Sequence, residues 1–168
     1  WTTWKSKTGK GNSHYARTYN RLTGKLSPVS YVGNSNEYID KADNHCLPVI
    51  TVDGKGYLHA ILGTHHHQPK YVRSLEPDST EKWTPGEEFG IPKRKTREGS
   101  YTYHSINCDK DGNIHSIARW AGYGYRFALV YNKRTPDGKW AKQQILVMPF
   151  RAMYGCWYHK VSIDKKGR

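Results

Sequence analysis

Two stretches of the chain gather residues that can move protons near neutral pH. Asp43-Asn44-His45-Cys46-Leu47-Pro48 and Thr64-His65-His66-His67-Gln68-Pro69 together hold four of the nine histidines. Paired imidazoles can supply a general base and a charge-stabilising donor, with metal ligation as the competing use. Further along, Tyr101-Thr102-Tyr103-His104 and Ala118-Arg119-Trp120 add phenols and a guanidinium. A tyrosine hydroxyl donates or accepts a proton, and arginine grips a carboxylate through two parallel N–H groups. Tyr154, Trp157, Tyr158 and His159 form a third group, suited to a wall on which sugar rings stack.

This set selects among reactions on sugars. A glycosidase normally needs two suitably spaced carboxylates, whereas the clusters here offer imidazole, phenol and guanidinium, and acids such as Asp43 fall in turns. No intact Ser-x-Asp-x-Gly-x-x-Trp box of the sialidase kind is present. β-Elimination at a uronic acid needs other parts. The C5 proton is weakly acidic until the adjacent carboxylate is neutralised, a task for arginine. A base then removes it, and a tyrosine or histidine protonates the departing glycosidic oxygen. The observed residues match that list.

The bulk properties agree with an acidic partner. Twenty-seven Lys and Arg against 14 Asp and Glu give a formal charge of +13 over 168 residues. Such a bias favours a polyanion: an acidic glycan, a nucleic acid or an anionic membrane surface. No nucleic-acid-binding motif accompanies the charge. A mean hydropathy of −0.88 and the lack of a long apolar run leave no candidate membrane-spanning helix. Cys46, Cys108 and Cys156 show no CxxC spacing and read as small buried hydrophobes. No signal peptide is visible, and the chain, opening on Trp1 and stopping inside a turn, reads as a fragment of a longer protein.

A repeat supplies the elements that must position these residues. Val49–His59, Ser105–His115 and Val161–Arg168 align so that Asp53, Asp109 and Asp164 fall 56 and then 55 residues apart, and His59 matches His115. Each unit predicts a strand, a tight Asp/Gly turn and a second strand. Further strands are expected at His14–Arg21, Tyr71–Leu75, Tyr125–Lys133 and Gln144–Met148, with Thr135-Pro-Asp-Gly-Lys139 as another hairpin turn. No segment shows a helical period with caps. Four strands per unit of some 50 residues is the requirement of a propeller blade, with a β-sandwich as the alternative. The expected fold is all-β: about three blades of a β-propeller, spanning residues 1–168 as one partial domain. Blade repeats fall around 45–75, 101–134 and 154–168, and a long Pro-, Gly- and charge-rich excursion covers 76–100. Its Lys93-Arg94-Lys95-Thr96-Arg97 run reads as a solvated loop. The Asp53–Gly56 turn folds its strands back, so His45 and the His65–His67 run meet at the opposite end. The same logic puts Tyr103 and Arg119 at the matching end of the next unit, and His59 and His115 in the structure of the repeat.

The pattern Asp-Asn-His45-x-x-Pro, Asp53-Gly-x-Gly-Tyr-Leu-His59, His65-His-His-x-Pro69-x-Tyr71-x-Arg73-Ser74 resembles the BNR-type propeller family, which includes the seven-bladed ulvan lyases. The resemblance runs from about Trp1 to the end. It implies a polysaccharide lyase for a uronate-containing, sulfated, ulvan-like polymer, with His45 and His66 as base or charge-stabilising residues. Tyr103 would be the acid or acid/base, and Arg119 the carboxylate neutraliser. His65 or His67 stands as the alternative to His66, and Tyr101 to Tyr103; these three and Tyr158 are placed as substrate contacts. The chemistry requires no cofactor, although such lyases can carry a structural metal ion. The expected partner is an acidic polysaccharide, with no nucleic acid and no membrane, and the expected location is secreted or periplasmic. Two other readings remain: a non-catalytic acidic-glycan-binding propeller, and a glycoside hydrolase whose carboxylates lie in blades beyond this sequence.

Overall fold

The computed structural model describes residues 2, 3, 11–35, 43, 45–65, 67–92, 99–122, 124, 126–151, 154, 155, 158–164 and 166. The Lys93–Arg97 run, Asn44, His66, Cys156, Trp157 and Gly167 lie outside the described residues. Among those described there is no α-helix, and every strand pair is antiparallel.

Three sheets follow one another along the chain. β1 (Thr2–Thr3), β2 (Ser13–Ala16) and β5 (Ser30–Asn34) form the first, in the order β1-β2-β5. A small ribbon of β3 (Tyr19–Asn20) and β4 (Lys25–Leu26) lies between its last two strands in sequence. The second sheet is a meander of β6 (Val49–Val52), β7 (Leu58–Leu62), β8 (Lys70–Arg73) and β9 (Glu87–Glu88). The third is the meander β10 (Ser100–Cys108), β11 (Ile114–Ala121), β12 (Phe127–Arg134) and β13 (Gln144–Val147). The strands expected around His14–Arg21, Tyr71–Leu75, Tyr125–Lys133 and Gln144–Met148 and on either side of the Asp53 and Asp109 turns occur close to their predicted positions, whereas Val161–Asp164, expected to open a third such hairpin, is not a strand. The 76–100 stretch is less of an excursion than its composition suggests, because β9 pairs with β8 and closes the second sheet.

The hairpin turns explain the repeat. At Asp53, Asp109 and Thr135 the backbone N–H donates to the carbonyl four residues on, while the glycine three residues on donates back. Gly56, Gly112 and Gly138 have φ of 87°, 81° and 91°, a region that only glycine enters at little cost. Asp53 Oδ1 accepts from the N–H groups of Lys55 and Tyr57, and Asp109 Oδ1 from those of Asp111 and Asn113. Asp164 accepts from the Lys166 N–H in the same way, so a third turn of this kind begins there. The second carboxylate oxygen explains the repeated histidines. Asp109 Oδ2 meets His115 Nε2 at 2.9 Å, and the other ring nitrogen meets the Tyr131 hydroxyl at 2.7 Å. Asp53, His59 and Tyr71 repeat this strut across β6 to β8. His59 and His115 thus tie each turn to the third strand of its sheet.

The sheets stack face to face, and alternation along β7 serves two neighbours at once. Ala60 and Leu62 pack with Val32, Val72, Ala16 and Trp83 toward the first sheet. Ile61 points the other way, into a cluster with Tyr71, Phe89, Ile114, Ile106 and Trp140 that joins the second sheet to the third. Phe89 and Trp140 stack there with centroids 3.8 Å apart, and Arg134 reaches across to Glu87 at 3.2 Å. Full burial of one such aliphatic side chain contributes about 1.5–3 kcal/mol. Ile61→Ala should therefore cost about 2–5 kcal/mol in urea unfolding, whereas Ile50→Ala, at a position 53% exposed, should leave the midpoint nearly unchanged.

Candidate functional site

The ends of β6 and β7 remote from the Asp53 turn carry the first half of the site. The Cys46 N–H donates to the Asp43 carbonyl at 3.1 Å. Asp43 Oδ1 accepts from the His45 N–H at 2.9 Å, a local side-chain-to-backbone bond that shapes the loop. The same carboxylate then takes two imidazoles: Oδ1 meets His45 Nδ1 at 2.7 Å, and Oδ2 meets His65 Nδ1. The two rings stack with centroids 4.4 Å apart. Gly63 makes the approach possible. A Cβ there would stand 2.3 Å from the Cys46 carbonyl carbon and 2.4 Å from the Leu47 nitrogen. Cys46 is fully buried, and burial, followed by the nearby Asp43 carboxylate, pushes its thiol up to about 12. It packs rather than reacts.

The third sheet supplies the second half. β10 pairs with β11 in register at Thr102–Arg119 and again at Ser105–Ile117, so Tyr103 and His104 stand opposite Ala118 alone. This bulge bends the strand and re-aims its side chains. Tyr103 takes φ of 56°, a left-handed conformation that costs a bulky residue about 1–2 kcal/mol. His104 turns inward, where burial, then the neighbouring His159, drives its pKa down to about 3. Tyr103 turns toward His45, centroids 6.2 Å apart, and toward Tyr158 at 5.0 Å. Arg119 lies directly beneath, 1% exposed, its Cζ 4.5 Å from the Tyr103 ring and 4.9 Å from those of Phe127 and Tyr154. Its Nη2 donates to Thr102 Oγ1 and its Nη1 to the Gly155 carbonyl.

These contacts set the charge states. Burial works against ionisation of Asp43, yet the His45 N–H and the two imidazoles hold its carboxyl down at about 2. Burial lowers the His65 pKa despite the Asp43 carboxylate, and His45 and Arg119 add to the fall. Burial, then the hydrogen bond with Tyr158, raises the Tyr103 phenol to about 12, with Arg119 pulling the other way. At neutral pH the site therefore presents an ionised carboxylate, a neutral His65 and a protonated Tyr103. Asp43, His45 and His65 place ligand-capable atoms within 4.8 Å of one another. Both facing ring nitrogens are already engaged by the carboxylate, so the trio reads as two imidazoles held by one acid.

The structure brings His45, His65, Tyr103, Arg119 and Tyr158 to one end of two stacked sheets. His66 lies outside the described residues. Tyr101 is a different case from its neighbour: wholly buried, its hydroxyl accepts from the Ile91 N–H and donates to Gln143 Oε1, so it packs the core and faces no ligand. The His67 carbonyl accepts from the Tyr101 N–H, bridging the second sheet to the third. Arg119, expected to grip a carboxylate, is a guanidinium enclosed by the rings of Tyr103, Phe127 and Tyr154. Sequence reasoning passed over Asp43, taken as a turn acid. The Asp-x-His spacing, which allows one carboxylate to cap the turn and hold the ring, was the available signal. Gly63→Ala should push the Cys46–Leu47 backbone away and part the two histidines, seen as a loss of the stacked His45–His65 pair by NMR with the β-sheet signal kept.

Comparison with known proteins bears on this geometry. No curated protein matches the chain significantly. A solved structure described as a new family of polysaccharide lyase, PL25 ulvan lyase, superposes with a TM-score of 0.58 at 21% identity. A second, of an ulvan lyase of the same description bound to -[GlcA(1-4)Rha3S]-, gives the same TM-score and identity. Each match covers 84% of this chain and 36% of the other, so the chain spans about a third of the length of those lyases. At that identity the likeness concerns the fold. The family model of BNR repeat-containing proteins matches residues 5–168, nearly the whole sequence, and the chain belongs to that BNR repeat-containing family.

Proposed function

We propose that the stacked sheets are blades of a β-propeller and that the chain carries the catalytic face of a polysaccharide lyase acting on a uronate-containing, sulfated glycan. The observation that carries this reading is the convergence of His45, His65, Tyr103 and Arg119 from two sheets on one end of the stack. The structures it resembles are described as ulvan lyases, one bound to a glucuronate-containing sugar, and the +13 charge suits a polyanion. In this scheme a neutral imidazole of the His45–His65 pair takes the C5 proton. The C5–H electrons form the C4–C5 double bond, the C4–O4 bond breaks, and the protonated Tyr103 hydroxyl delivers its proton to O4. The Arg119 cation and the histidine edges stabilise charge on the uronate carboxylate. Tyr154 and Tyr158, 62% and 75% exposed, provide faces for neighbouring sugar rings. The polymeric substrate fits a secreted or periplasmic protein.

Mixed with ulvan and other uronate polymers, the protein should release unsaturated uronate, seen as rising ultraviolet absorbance. Tyr103→Phe should slow that rise by about 100-fold or more while leaving the fold intact, because the strained backbone does not need the hydroxyl. Arg119→Ala should abolish it. A flat wild-type trace with retained polymer binding would instead support a glycan-binding propeller. The pH dependence has a defined sign. His65 is neutral above its lowered pKa, so kcat/KM should fall only in acid, below pH ~6.5. The opposite limb belongs to Tyr103 and lies toward about 12. A rate that rises as pH falls from 7 to 5 would contradict a neutral imidazole base.

A further inference from the structure

The residue that carries His45 into place is itself held from outside the two sheets that meet at the site. Asn12 lies just ahead of β2 in the first sheet and is 3% exposed. Its backbone is fixed on both sides: the Asn12 N–H donates to Ser35 Oγ at 2.8 Å, and the Ser35 N–H donates to the Asn12 carbonyl at 2.9 Å. One residue on, Ser13 Oγ donates to Asn34 Oδ1 at 2.8 Å and ties β2 to β5. The Asn12 side chain reaches out of this fixed frame, and its Oδ1 accepts the Asp43 N–H at 3.0 Å. Asp43 in turn holds both the N–H and the ring of His45. The His45 side chain is 45% exposed, so packing alone does not fix it. Its ring nevertheless stands 6.2 Å from that of Tyr103, centroid to centroid. We propose that Asn12 is a positioning residue, whose amide oxygen anchors Asp43 to the first sheet and thereby sets the approach of His45 to Tyr103. All three sheets then build the site. This deepens the lyase reading and rests on it.

Asn12→Ala removes the accepting oxygen and leaves the Asp43 N–H to water. A reacting group displaced by about 1 Å can cost about 100-fold in rate. On a uronate polymer kcat should therefore fall about 10–100-fold with KM little changed. Asn12→Ser, whose hydroxyl stops short of Asp43, should match the alanine variant, and it carries the test where that variant does not fold. Asn12→Asp keeps an accepting oxygen at the same reach and should recover part of the rate. Val32→Ala, in the core cluster beside the same sheet, separates placement from stability. It should lower the urea midpoint at least as far while leaving kcat unchanged. Proton NMR reads the placement without substrate. The unaltered protein should show a nuclear Overhauser contact between the His45 and Tyr103 rings, lost in Asn12→Ala and Asn12→Ser and regained in Asn12→Asp. Full kcat in the alanine and serine variants would overturn the proposal, and so would a ring contact that survives in them. An equal loss of kcat in Val32→Ala would also overturn it, by making the effect one of stability. If the unaltered protein cleaves no uronate polymer, the lyase reading falls, and the ring contact still decides whether Asn12 places His45.

Discussion

Everything at the site depends on sheets that must cover both of their faces. A meander with apolar residues on both sides, as β7 has, cannot leave either side to water, so it packs a sheet against each. Ala60 and Leu62 face one neighbour and Ile61 the other. Stacked in the same sense, the second and third sheets bring corresponding strand ends together. The ends of β6 and β7 that carry His45 and His65 thereby meet the bulge of β10 that carries Tyr103. Neither sheet alone holds a complete set of proton-moving groups.

Local devices then refine what stacking delivers. Gly63 lets two backbones approach far more closely than any side chain permits, and the Asp43 turn places one carboxylate between two rings. The bulge in β10 sends Tyr103 toward the histidines and His104 into the core from adjacent positions, something a regular strand does by alternation but without re-aiming. The left-handed φ at Tyr103 is a conformational cost located where the side chain faces His45 and Tyr158. Beneath it, Arg119 puts a permanent charge in a nearly dry aromatic enclosure, where its field is weakly screened.

Much of this was legible in the sequence because it follows from short-range rules. The Asp/Gly turns announce themselves by residue type, their period of 56 and 55 residues exposes the repeat, and hairpin logic alone places His45 near His65. Which tyrosine faces the histidines was not legible: period-two alternation gives Tyr101 and Tyr103 the same face, and only the bulge separates the buried Tyr101 from Tyr103 beside His45. The fourth strand of the second sheet was also hidden, since Glu87–Glu88 is two residues long inside a polar, Pro-rich stretch and gains its conformation from β8. The enclosure of Arg119 depends on Phe127 and Tyr154, and only the fold shows that their rings close on the guanidinium.

The central claim is that these groups break a glycosidic bond by elimination. Digestion of a uronate polysaccharide in heavy-oxygen water, followed by mass spectrometry of the fragments, tests it most directly. Elimination predicts fragments with an unsaturated uronate end and no heavy oxygen taken from solvent at the cleaved bond. Saturated ends carrying solvent oxygen would show hydrolysis and contradict it.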